Sequence, residues 1–137
     1  MRKITKTLVA ILLIAVLSMT SITSFASDEG ISPRLSHTSD AAFSFAASAN
    51  GGYIDVTYHG YDSFVRADLT VKIEKKFLLF FWTEVDTWSG SSTERRGEFY
   101  DTIPLTGSGT YRATFTLTIT GNNGTVDTIP SVLEDSY

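Results

Sequence analysis

The chain of 137 residues contains no cysteine. That excludes disulfides, and it excludes a lipid-modified cysteine behind an N-terminal apolar segment. Prolines number only three, tryptophans two and histidines two. His37 and His59 both fall in stretches that read as solvated loops. His59 lies near Asp55 and Asp62, but no second histidine stands at ligand spacing, so no metal site is expected. An excess of positive charge is also missing: 11 basic residues face 15 acidic ones, a formal charge of −4. Nucleic acid is a poor partner for such a chain, because a basic stripe supplies most of that affinity. No Gly-x-Ser-x-Gly elbow, Ser-x-x-Lys pair, glycine-rich phosphate loop or calcium loop occurs. We therefore expect no catalytic residue, no cofactor and no enzymatic activity.

What is present begins with a targeting segment. Arg2, Lys3 and Lys6 form a positive n-region, and Leu8 to Leu17 is an apolar h-region short for a bilayer span. Ser24-Phe25-Ala26 places small residues where a signal peptidase reads. Residues 1–26 are thus expected to be a cleaved signal peptide, the protein being extracellular or held at the cell surface. An uncleaved N-terminal anchor is the alternative. Export without cysteine suits a Gram-positive bacterium better than a eukaryotic secretory route. Without residues 1–26, 8 basic residues remain against 15 acidic ones, a formal charge of −7. A domain of about 110 residues can bury roughly two-thirds of its unfolded surface, enough to fold without disulfides. Residues 27–40, with Gly30 and Pro33 and no periodicity, read as a leader, and 41–137 as the folded domain.

The clearest pattern in that domain is Thr110 to Thr120. Tyr111, Ala113, Phe115, Leu117 and Ile119 alternate with Arg112, Thr114, Thr116, Thr118 and Thr120, the signature of a half-buried strand. The same alternation recurs upstream, where Val65, Ala67, Leu69, Val71 and Ile73 should face inward and Lys75, on the same parity, should end the strand. Shorter alternating runs occur at Ala42 to Ala46, and at Tyr53 to Tyr58 after the turn residues Asn50-Gly51-Gly52. Trp82 to Trp88 reads as a further strand, followed by a polar loop over Ser89 to Arg96. Phe99 to Leu105 should be a shorter strand that is an edge or stops at Pro104, which cannot donate to a ladder. Gly121-Asn122-Asn123-Gly124 should turn the chain into Thr125 to Ile129, with Pro130 ending the strand and Ser131 to Tyr137 docking loosely. About seven short strands separated by turn residues indicate an all-β protein, an antiparallel, immunoglobulin-like β-sandwich without a disulfide.

Gly107 to Ala113 resembles the corner that opens strand F of immunoglobulin-like domains, where a tyrosine hydroxyl bonds back to upstream backbone. Tyr111 would be that tyrosine, Gly109 would shape the corner, and Ala113 would stand at the usual cysteine position. Most of the chain beyond residue 26 resembles a family of small secreted proteins of unknown function from Gram-positive bacteria, mostly Firmicutes. The matching pieces are Ile31-Ser32-Pro33-Arg34, Lys75-Lys76, Trp82, Trp88, Gly109-Thr110-Tyr111-Arg112, Gly124-Thr125 and Ser136-Tyr137. The resemblance implies an exported all-β domain and carries no catalytic residues. The chain departs from it at Phe77 to Phe81, where a polar tip would be expected.

That departure is the main candidate for function. Phe77, Leu78, Leu79, Phe80, Phe81 and Trp82 are apolar throughout, where a hairpin tip normally uses Gly, Asn, Asp or Pro. Either the run continues a strand into the core and the turn lies at Glu74-Lys75-Lys76, or it protrudes as a contact surface. In the second case Lys75 and Lys76 would add attraction to anionic lipid or cell wall. The expected role is a binding module with a protein, membrane or glycan partner, and self-association through the tip is open. Two other classes stand beside it: a membrane-active, bacteriocin- or toxin-like protein using the same tip, and a carbohydrate-binding module using Trp82, Trp88, Tyr58 or Tyr61. The Thr114, Thr116, Thr118 ladder is explained by the strand preference of threonine.

Overall fold

Seven strands run through residues 35–137, the part of the chain that the computed structural model describes. The expected signal peptide and the segment Ile31-Ser32-Pro33-Arg34 lie outside the described residues. The strands are β1 (Thr38–Ser48), β2 (Gly51–Gly60), β3 (Phe64–Phe77), β4 (Phe81–Ser92), β5 (Arg96–Ile103), β6 (Thr110–Gly121) and β7 (Val126–Ser136). They form two antiparallel sheets, β1-β2-β5 and β4-β3-β6-β7. This is an immunoglobulin-like β-sandwich in which β4 lies beside β3 rather than beside β5.

The alternation of β6 sets the core. Tyr111, Ala113, Phe115, Leu117 and Ile119 are fully buried, and so are Ala67, Val71 and Ile73 of the neighbouring β3. Ile54, Val56, Tyr58 and Phe99 cover them from the other sheet. Each such large side chain contributes roughly 1.5–3 kcal/mol on burial, so the core needs no disulfide.

Several boundaries differ from the sequence-based expectation. β1 starts at Thr38, inside the stretch read as a leader. Val65 is exposed rather than inward, because the β3–β6 register shifts between Phe64 and Arg66 and one extra residue reverses the parity. Lys75 does not end β3; it pairs with Tyr111 and Thr83 at the rim of the sandwich. β4 continues through Ser89 to Ser92, its polar residues being suited to an edge strand. β5 is an edge strand and stops before Pro104, both as expected, but it starts earlier, at Arg96. β7 runs on through Pro130 to Ser136, since an edge strand tolerates a missing N–H. The tail is therefore part of the sheet.

His37 is also not a solvated loop residue. It is 3% exposed, with Nδ1 2.7 Å from the Ser63 hydroxyl and Nε2 2.7 Å from the Thr125 hydroxyl. The Asp127 carboxylate accepts the backbone N–H groups of Ser36 and His37, at 2.9 and 2.7 Å. Burial alone would raise this carboxyl, but those hydrogen bonds and the nearby histidine outweigh it and hold it below the usual range. Further along β7, Asp135 accepts the Ala47 N–H at 2.8 Å. Two carboxylates of β7 thus fasten both ends of β1, across a seam where the two sheets share no ladder.

Candidate interaction site

β3 and β4 pair as far as Phe77 and Phe81, leaving Leu78, Leu79 and Phe80 to make the turn. The apolar run therefore forms the apex of a hairpin. Exposure is 59% at Phe77, 69% at Leu78, 76% at Leu79, 81% at Phe80 and 61% at Phe81. Five such side chains leave on the order of 5–10 kcal/mol of burial free energy unrealised, in a patch of a kind soluble monomers rarely carry without a partner. Leu78 has φ 56°, in the left-handed region. A leucine there costs roughly 1–2 kcal/mol that glycine would avoid.

The base of the tip is cationic and aromatic. Trp82 pairs with Lys76 across the hairpin. The Arg112 guanidinium lies 4.2 Å from the Trp82 ring centroid and the Lys76 ammonium 5.6 Å. Arg112 is held there by Glu74, whose Oε2 accepts from Nε at 2.9 Å and from Nη2 at 2.7 Å. Lys72 approaches the other oxygen of Glu74 at 3.3 Å. Burial would raise the Glu74 carboxyl, but Arg112 and Lys72 together hold it below its usual range. On the opposite face of the hairpin, Lys75 donates to the Thr106 carbonyl and sits 5.4 Å from the Tyr111 ring centroid.

Tyr111 makes the expected corner. Its ring is fully buried and its hydroxyl donates to the Gly107 carbonyl at 2.6 Å. Gly107 and Gly109 have φ 71° and 149°, and the Tyr137 ring stacks on Tyr111 with centroids 6.0 Å apart. Gly109 and Tyr137 exchange two backbone hydrogen bonds, at 3.0 and 3.2 Å. Lys75-Lys76, Trp82, Gly109 to Arg112 and Ser136-Tyr137, remote in sequence, thus meet at the end of the sandwich that bears the tip. No local pattern marks Glu74 or the ring of Tyr137 for this place, because only the β3–β6–β7 register brings them there.

The other aromatic candidates do not join this group. Successive residues Ile73 and Glu74 face Asp86 and Glu84, so Val85 is an extra residue in β4. The bulge turns Trp88 to the opposite side from Trp82. Trp88 packs edge-on to Phe99, and its indole N–H donates to Asp101 at 2.6 Å. Tyr58 is buried, its hydroxyl donating to the Glu94 carbonyl at 2.8 Å, while Tyr61 is exposed. His59 accepts from Arg96 at 2.7 Å and Asp62 pairs with Arg95, so these two do not converge with Asp55. Among the described residues, no three His, Asp or Glu side chains group as metal ligands, and no helix is long and apolar enough to cross a membrane.

No family model matches the chain, and no curated protein matches it in sequence. Among solved structures, a family 76 glycoside hydrolase from a bovine Bacteroides thetaiotaomicron strain is similar over 73% of this chain, with 13% identity and a TM-score of 0.38. This chain spans 20% of that one. A likeness of that size bears on neither activity nor substrate.

Proposed function

We propose that the protein is a secreted, non-catalytic binding module whose contact surface is the Phe77–Trp82 tip. The observation that carries this reading is the exposure of five consecutive large apolar side chains at a hairpin apex. The strained Leu78 supports it, because a tip selected for stability alone would place glycine or asparagine there. Replacing Leu79 and Phe80 together by serine tests it. Both side chains are mostly exposed, so the urea midpoint should move by less than about 0.5 kcal/mol equivalent. Self-association in sedimentation and retention on a hydrophobic matrix should fall sharply. Unfolding of the variant would place the run in the core, and a stable variant with unchanged association would remove the tip as a contact surface.

A further inference from the structure

We infer that the occupant of this tip is the surface of an anionic phospholipid bilayer, an inference that rests on the contact role proposed above. Three observations favour lipid over a folded partner. Leu79 lies three residues beyond the Lys76–Trp82 pair, which at about 3.3 Å per residue gives a reach of at most ~10 Å. Interfacial apolar segments sink roughly 5–10 Å into the headgroup and acyl boundary. At that depth Trp82, Lys76 and Lys75 lie at headgroup level, where tryptophan and snorkelling cations are favoured.

The groove beside the tip supplies the second argument. Lys75, Lys76, Phe77, Glu84, Val85 and Thr106 line it. Seating a second copy's tip there would desolvate two ammonium groups and a carboxylate, a costly outcome. A membrane leaves the same lysines beside phosphate and water. The third observation is the division of labour among the charges. Glu74 is already engaged by Arg112 and Lys72. The Lys76 ammonium lies over the Trp82 face and, among the described residues, forms no ion pair. The net negative charge, formally −4 for the full chain and −7 without residues 1–26, repels an anionic surface only at range, and screening over about 8 Å at physiological ionic strength leaves contact to the local cations.

Tryptophan fluorescence of the full chain with vesicles carrying brominated acyl chains tests this. The two tryptophans are Trp82 and Trp88, and residues 1–34 contain none, so quenching reports the position of β4, and the tip variants, which keep the same N-terminal segment, separate tip insertion from recruitment by that segment. Phosphatidylglycerol vesicles should quench the wild type, and phosphatidylcholine vesicles should do so more weakly. Lys76→Gln should bind the anionic vesicles about fivefold less tightly. Leu79→Ser with Phe80→Ser, or Phe80→Glu alone, should abolish quenching. Equal quenching of wild type and both tip variants, or no quenching of the wild type, overturns the inference. If wild type is unquenched while its tip-dependent self-association persists, the contact role stands and a second copy replaces the bilayer. If neither depends on the tip, both readings fall.

Discussion

Replacing Gly121 by alanine should weaken the fold far more than a single methyl suggests. Gly121 closes β6, and its φ lies outside the left-handed region, so alanine meets no backbone obstacle. The obstacle is His37. A Cβ on residue 121 would run into the imidazole at Cε1, Nδ1 and Nε2. The ring cannot retreat without giving up its partners Ser63 and Thr125. Two hydrogen bonds at about 1 kcal/mol each, with overpacking at about 1–3 kcal/mol, put the loss at roughly 3–5 kcal/mol. For a domain of this size that lowers the melting temperature by roughly 10–40 °C. His37→Ala should cost about 2–3 kcal/mol by losing the same bonds. In the double variant the new methyl enters the space the ring has left. Its cost should therefore fall short of the sum by roughly 3 kcal/mol, most of the Gly121→Ala penalty. Thermal unfolding of the four proteins measures this coupling. Additive costs, or a Gly121→Ala protein as stable as wild type, would refute the packing of His37 on Gly121.

Tyr111→Phe should cost about 1 kcal/mol, and not the ~3 of a stranded buried acceptor, because Gly107 is exposed and water can replace the hydroxyl; an unchanged urea midpoint would mean that Tyr111 merely packs. Leu78→Asn should hold stability or raise it by up to about 1 kcal/mol, since asparagine tolerates the left-handed region, while retention on a hydrophobic matrix drops. A loss of stability would contradict the strain. The depressed carboxyls of Glu74 and Asp127 contribute stability above the unfolded carboxylate range near pH ~4, which is lost as pH falls through their lower folded values. Urea midpoints should therefore be flat from about pH 6 to 5 and decline below about pH 4, less steeply in Asp127→Asn; equal slopes would show that Asp127 is not a source of the decline.

Much of this architecture is legible in the sequence, for reasons that differ by element. The period of β6 leaves no choice of face, so Tyr111 to Ile119 are assignable to the core directly. Bulges are different: the extra residues Val65 and Val85 are ordinary strand formers, and only pairing reveals that they reverse parity. The ends of β4 and β7 are hidden because edge strands accept serine, glycine and proline, which read as loop. The burial of His37 is hidden too, because its partners come from two turns distant in sequence. The apolar run from Phe77 to Phe81 is visible, but burial depends on whether another layer covers it, which local sequence does not encode. Arg112 is visible as part of a motif, while its placement over Trp82 needs the register of three strands.

The positions of Leu35 and the tip have a practical consequence for how the molecule can be presented. Thr38 pairs with Gly60 at the pole where His37 meets Ser63 and Thr125. β3 leaves that pole at Phe64 and runs for 14 residues to the tip, roughly 45 Å at strand rise. Tyr137, by contrast, stacks on Tyr111 beside the base of the tip. Immobilised through a linker ahead of Leu35, the sandwich would act as a rigid spacer that holds the phenylalanines away from the support. Immobilised through residue 137, it would crowd them against the surface. A sensor chip prepared both ways should capture vesicles well in the first orientation and poorly in the second.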